Sequence, residues 1–587
     1  MKNTDILAEV LHEAGIRHFF AVTGGAAVHI IDSLIQHTDM KAIFHHHEQA
    51  AALAADAYAR LSNLGVCVVT TGPGVTNTIT GLLCSWQDSV PTIFISGQAR
   101  YGLTGLNSNV RQVGTQHLEV VPLVQNMTKK AVMLKPGDNI REVLTKLIEI
   151  AQSGRKGPVW LDIPLDLQIA ESEVEINKLL KTGNESLESG LRTHQAELFT
   201  DWASANRPVL LLGRGLLGLP QQEFVDALES LGVPCLRTWG FFDTNLIIPK
   251  ELDYGVVGVS GQRGANKLIS ESDLVISLGV RWGQAVVGPL IEEFAPRAKH
   301  HIVDIDGHEI DRVLTALPDA RSHCTDARLF LKIVMKEINN QGVAPKWINY
   351  CRSLKPYNFE QGTGTTDRQI DQYSLFRMLD EKIGSESSII VDGGGTIVYC
   401  SMQVINLRQD RKVIIPSASA PMGTGIPHAI GAQVSFPNWQ TIMVTGDGSF
   451  PFNIQELQTL VTNNLPIKIL VINNQGYLSI QGTQDQFLEG RHFGSAKEGG
   501  LDIPSFEKIS KAFGIRYLKV TKSKKLDGKI STLLQVDGPC VLEVFTKEGQ
   551  EIYPRSGFTK GKDGKFKPQP LSAMYPDLEI PNFADSV

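Results

Sequence analysis

Short apolar runs that end on glycine or on a single polar residue recur along this chain, separated by stretches with helical spacing. HFFAVTGG, GVCVVTTGPG, TIFISG and GPVWLDIP come first; RPVLLLGRG, SDLVISLGV and HHIVDID follow; SIIVDGGG, QTIMVTGDG, IKILVINN and GPCVLEVF come last. Unbroken apolar runs of this kind suit strands buried on both faces. Helices of about ten to fifteen residues between them suit crossovers that return the chain in parallel. The expected fold is α/β, with three doubly wound parallel-sheet domains.

At 587 residues the chain is too long for one core, and polar stretches divide it. The expected domains are 1–170, 201–345 and 369–550, with linkers at 171–200 and 346–368 and an extended Lys-, Gly- and Pro-rich arm at 551–587. A net charge of -6 on this length recommends neither nucleic acid nor an anionic membrane as partner. The seven cysteines are scattered without a C-x-x-C pair, which suits reduced thiols rather than a disulfide framework or a zinc site. The first residues, MKNTDILAEVLHEAGI, are amphipathic at helical spacing and lack the apolar core of a signal peptide. No apolar run is long enough to span a bilayer. A cytoplasmic protein is expected.

The run TIMVTGDGSF ends on Asp447, and the next strand, IKILVINN, ends on Asn473-Asn474. In open parallel sheets, ligands bind beyond the carboxyl ends of strands. A carboxylate, an amide oxygen and a nearby backbone carbonyl are hard donors suited to magnesium that keeps positions for water and phosphate. Gly446 and Gly448 would let backbone approach a phosphate. Taken singly, Asp447 as a helix cap and Asn473-Asn474 as a turn are the plainer readings; together, with flanking glycines, they favour a site. Far upstream, FHHHEQAAALAADAYAR puts Glu48 at the start of an alanine-rich helix, where an acid also complements the helix dipole. His45, His46 and His47 are consecutive and cannot all face one ion, so they are expected to line a pocket and lead into the helix.

G-D-G-S followed by Asn-Asn resembles the thiamine diphosphate (ThDP) binding motif, and H-E-Q before A-Y-A-R resembles the activating-glutamate segment of the same enzymes. With TTGPGVTN, DSVPTIFISGQ and GPVWLDIPLD, the resemblance to the acetolactate-synthase-like ThDP family runs from about residue 3 to 550. It implies a pyrimidine-binding first domain, a central nucleotide-type domain and a diphosphate-binding third domain. It implies that Asp447, Asn474 and the Gly476 carbonyl hold Mg2+, and that Gly25, Gly446, Gly448, Ser449 and Thr396 contact the cofactor. In SASAPMGTGIPHAIGA, Met422 would wedge beneath the cofactor, and the Ala420 carbonyl would take its amino group. Glu48 would hold the pyrimidine nitrogen, so that the cofactor's amino group can remove the C2 proton. Gln116 matches the family's active-site glutamine, with Gln112 as the alternative. The family further implies a homodimer or homotetramer in which the first domain of one chain faces the third domain of another.

LLLGRGLLG in the middle block is a formal G-x-G-x-x-G, but the acid expected about twenty residues later is missing, which disfavours NAD. The resemblance implies FAD instead, held by Gly213, Gly258, Gly261, Arg281, Asp304 and Asp326; a vestigial domain that binds nothing is the alternative. Three positions depart from the acetolactate synthase pattern. Ala285 stands where an arginine would hold a second 2-oxo acid, Leu165 replaces a channel lysine, and a tryptophan is replaced near Thr483. Losing such a cation removes about 1.5–3 kcal/mol of anchoring, roughly one to two decades of affinity. The expected activity is a carboligase that decarboxylates a 2-oxo acid, pyruvate first among candidates, and transfers the acyl unit to a carbonyl acceptor, keto sugars included. A simple 2-oxo acid decarboxylase and a non-catalytic cofactor-binding paralogue are the alternatives. GLNSNVRQVGTQHLE (105–119) is an expanded loop beside the active site.

Overall fold

The computed structural model describes residues 1–36, 39–104, 109–172, 194–338, 343–358, 369–560 and 565–586. Three six-stranded sheets carry the chain, and every neighbouring pair of strands within them is parallel. Counted along each sheet, the first and third share the strand order 2-1-3-4-6-5, while the second follows 6-5-4-1-2-3. The second order reverses direction once; the first and third reverse between strands 1 and 3 and again at the edge, where strand 6 lies between 4 and 5. Beside such a reversal, two crossovers leave toward opposite faces and open a crevice at the strands' carboxyl ends.

Those crevices are where the chemistry-bearing residues fall. In the first sheet the reversal lies between His18–Ala21 and Gly65–Val69; in the third it lies between Ser387–Val391 and Gln440–Gly446. In the second it separates Pro208–Leu212 from Leu274–Leu278. The central strands read buried at every position, as their unbroken apolar sequence requires.

The first and third domains meet through two helices, Glu48–Ser62 and Gly425–Ser435. The first buries Ala50, Ala51, Ala52, Ala54, Ala55 and Ala57, side chains short enough for helix backbones to approach closely. Gly431 completes the fit, because a methyl group there would lie 2.2 Å from the Ala54 carbonyl oxygen.

The expected linker from 346 begins differently. Pro345–Leu354 is a helix opened by proline at its first turn, and it buries Trp347, Tyr350, Cys351 and Leu354 in the central domain's core. Its apolar residues recur at three- and four-residue spacing, so the stretch is a core helix; residues 359–368 lie outside the described part. Most of the expected linker 171–200 is likewise outside it, and a helix already starts at Gln195. The arm beyond 551 forms two small antiparallel pairs and lies along the central domain, where Tyr350 donates to the Pro581 carbonyl and Leu571 is buried. All seven cysteines are free, and six of them are buried. Among the described residues, no helix is long and apolar enough to cross a membrane.

Candidate active site

At the third sheet's reversal, Asp447 follows strand Gln440–Gly446 and is 1% exposed. One carboxylate oxygen accepts the backbone N–H of Asn474 at 3.0 Å and of Gly476 at 3.1 Å. Two successive strand ends are thereby clasped together. Burial pushes the Asp447 carboxyl up to about 6, against the pull of these backbone donors. Asn474 is also buried, and its Oδ1 has no hydrogen-bond partner. A buried acceptor left unpaired costs free energy unless a ligand completes it. Here it lies in the loop tied to a buried carboxylate, an all-oxygen donor set that fits Mg2+. A methyl group at Gly448 would lie 2.2 Å from the Tyr477 ring, so the glycine also admits that ring against the loop.

The opposite side of the crevice is built on Asp392, wholly buried after strand Ser387–Val391. It accepts from Thr424, Thr445 and the Gly425 backbone, and burial raises its carboxyl. Ser449 donates to the Gly393 carbonyl and accepts from the Gly423 N–H, so its hydroxyl joins the two glycine turns. Thr396 sits in the first turn of helix Gly395–Val404, whose N-terminus is suited to an anionic group. Ala420 holds φ +42, and its carbonyl lies against Gly393; Met422 follows, facing Gly394.

Glu48 opens its helix in the first domain, and its Oε2 accepts from Asn77 Nδ2 at 2.9 Å. His47 caps that helix by accepting from the Gln49 N–H. His45 instead is buried, bonded to the Ile43 carbonyl and pushed down to about 4 by burial, so it stays neutral. Gln116 lies beside Gly72 with φ +56, its carbonyl accepting from Thr71; Gln112 bonds within its own loop. Gln116 thus shares the segment 71–77 with the partner of Glu48, which favours it over Gln112. Gly25 is exposed at the end of the first strand, on the same side. The hydrogen bonds described for Glu48 and Gln116 come from the first domain, whereas those of Asp447 and Asn474 come from the third.

A cavity of about 380 Å3 opens at the second sheet's reversal. Arg281, Asp304 and Asp326 line it as expected, together with Gly215, Arg155 and Arg214. Burial raises the Asp304 carboxyl to about 6. The Asp326 carboxylate is already engaged, capping the next helix and pairing with Arg328. Gly213, Gly258 and Gly261 are not among the lining residues; each packs closely against neighbouring backbone, Gly258 against the lining residue Ala285. Asp88 and Ser89 from the first domain and Ser417 and Ala418 from the third also reach the cavity, so three domains close it.

Reading the sequence missed Asn77, Asp392 and the cavity's contributions from other domains. Asp392 stands in SIIVDGGG, where attention to the polar residue at the strand end would have found it; Asn77 ends the short helix Pro73–Asn77 in TTGPGVTN, and no strand end marks it.

Three family models match this chain: the thiamine pyrophosphate enzyme N-terminal TPP binding domain at 1–123, the central domain at 197–332 and the C-terminal TPP binding domain at 393–544. Acetolactate synthase 3, chloroplastic, of Brassica napus is 31% identical over 575 residues, covering 94% of this chain and 85% of that protein. The chain belongs to the acetolactate-synthase-like family of ThDP enzymes. The acetolactate synthase isozyme 2 large subunit of Escherichia coli is 29% identical over 560 residues, covering 94% and 97%. Acetolactate synthase, chloroplastic, of Arabidopsis thaliana is 30% identical over 582 residues, covering 94% and 82%. The cofactor of this family is thiamine diphosphate, and the first and third domains are its TPP binding domains.

Proposed function

We propose that this enzyme is a ThDP- and Mg2+-dependent carboligase that decarboxylates a 2-oxo acid, pyruvate first among candidates, and transfers the acyl unit to a carbonyl acceptor. The observation that carries the reading is the unpaired Asn474 Oδ1 in the loop clasped to the buried Asp447 carboxylate. Asp447, Asn474 and the Gly476 carbonyl would hold Mg2+, and Mg2+ would hold the diphosphate. Bound ThDP supplies a nucleophilic C2 carbon and an electron sink. Glu48 holds a proton at the pyrimidine nitrogen, with Asn77 steadying its carboxylate. Gln116 faces the substrate from the first domain, and Met422 with the Ala420 carbonyl orients the cofactor from the third.

Those two residue sets belong to different domains, and the family resemblance implies that the first domain of one chain faces the third domain of another, so the active site is read as shared between subunits of a homodimer or homotetramer. The central cavity is read as the FAD site; its cations at Arg155, Arg214 and Arg281 suit a pyrophosphate, and its closure by three domains suits a structural role. Half-buried Ala285 lines that cavity, where the family pattern has an arginine. An uncharged side chain there favours an aldehyde or keto-sugar acceptor over a second 2-oxo acid.

The test is CO2 release from a panel of 2-oxo acids with ThDP and Mg2+, followed by product analysis with and without acceptor carbonyls. Carboligation predicts a ligated product that appears only with a suitable acceptor. Free aldehyde under every condition would identify a decarboxylase, and no CO2 from any member would contradict the catalytic reading.

A further inference from the structure

Asn473, the residue before Asn474, ends strand Lys468–Asn473 and is 4% exposed. Its Nδ2 donates to Glu543 Oε1 at 2.6 Å. Glu543, 5% exposed on the neighbouring strand Cys540–Phe545, accepts from the Tyr517 hydroxyl on its other oxygen. Turned this way, Asn473 offers Oδ1 to the loop, where it accepts the Gln475 backbone N–H at 3.1 Å and Gln475 Nε2 at 2.6 Å. Gln475 holds φ +67, a left-handed conformation that a side chain such as glutamine adopts only when something holds it there. On either side of it, Asn474 and Gly476 point their N–H groups at Asp447.

An amide can face either way, and its neighbours decide which end is oxygen. A carboxylate offers only acceptors, so Glu543 forces the NH2 end toward itself and the oxygen toward Gln475. We propose that Glu543 is a positioning residue for the metal loop: through Asn473 it holds Gln475 in the turn that sets Asn474 and Gly476 beside Asp447. Outer-shell partners of this kind typically change metal affinity by about 10–100-fold. The inference rests on the Mg2+ reading of Asp447 and Asn474.

The decisive variant is Asn473→Asp, which keeps the size and the oxygen toward Gln475 but sets oxygen against oxygen at Glu543. Adding Glu543→Gln restores a donor to that contact. The readout is the Mg2+ concentration that half-saturates ThDP binding, measured by calorimetry on the full-length protein without substrate. Asn473→Asp should raise it by about 10–100-fold; excess Mg2+ should restore ThDP affinity, and the double variant should return most of the way. Glu543→Gln alone should raise the half-saturating concentration by less than Asn473→Asp does, since its amide can still accept from Asn473 but no longer forces that orientation. An unchanged Mg2+ requirement in Asn473→Asp, or a defect the second substitution leaves in place, overturns the inference. Should Asn473→Asp not fold, Tyr517→Phe removes only the phenol steadying Glu543; a Mg2+ requirement raised severalfold supports the inference, and an unchanged one overturns it. Asp447→Ala separates the two levels. If it keeps wild-type Mg2+ dependence, the metal site itself is wrong; if it loses Mg2+-dependent binding while Asn473→Asp does not, only the role of Glu543 fails.

Discussion

Arg60→Met tests how the three domains are held together. The Arg60 side chain is 2% exposed at the end of the Glu48 helix, and its guanidinium meets Asp56 at 2.7 Å, Asp88 at 2.7 Å and Asp243 of the central domain. Arg214 also reaches Asp243, at 3.1 Å. Removing Arg60 leaves Asp56 with Ser85 and Asp88 with Ser417 as hydrogen-bond donors, and takes from both the cation that paired them. Stripping one partner from a buried ion pair costs about 3–5 kcal/mol, a fall in the first unfolding transition on the order of 10 °C. The sign of the pH dependence follows from Asp56. Burial alone would raise its carboxyl, but Arg60 and His428 more than offset that and hold it below the usual carboxylate range. In the wild type, Asp56 therefore contributes stability at neutral pH that is lost only in strong acid. In Arg60→Met the largest downward influence is gone while burial and His428 remain, so the carboxyl rises from its wild-type position and is expected to bind its proton more tightly in the folded state than in the unfolded one. The variant's deficit should be largest near pH 8 and shrink toward pH 5.5. Thermal unfolding of the apo protein at both values measures it. A deficit under about 1 kcal/mol, or one equal at both values, would refute the reasoning.

Gly448→Ala should displace the Tyr477 ring from the loop, weakening ThDP binding and costing about 1–3 kcal/mol of stability; unchanged affinity and melting would show that the ring has room. Mixing Glu48→Gln with Asp447→Ala chains under subunit exchange should restore activity, because a heterodimer contains one intact site. Zero activity, with exchange verified by mass, would exclude a shared site. Purified protein should show flavin absorbance that is lost on unfolding; a cavity that takes up no flavin under saturating FAD would exclude that cofactor.

Much of this architecture was legible because a strand buried on both faces has to be apolar throughout, so each polar residue that ends one stands out. Asp447 and Asn474 stood out in this way, as did the three sheets, whereas Glu48 opens a helix and was singled out by the resemblance of its segment. Helix Pro345–Leu354 was not, because its polar face and nearby glycines resemble a linker until Trp347 and Tyr350 are seen in the core. No local signal at Gly448 says that a tyrosine ring 29 positions along occupies the space a Cβ there would need. Gly213, Gly258 and Gly261 matched a pattern, and what the structure adds is their close packing against neighbouring backbone. The Arg60 cluster joins residues far apart in the chain, and only the packing of the three domains brings them together.

Hydrogen–deuterium exchange at C2 of bound ThDP reads the central claim most directly, because it needs neither substrate nor acceptor. With Mg2+ present, the wild-type protein should exchange that proton far faster than free ThDP does. Glu48→Gln should bind ThDP within about tenfold of wild type and lose about 10²–10⁴-fold in exchange rate. Exchange in Glu48→Gln equal to that of the wild type would contradict the account.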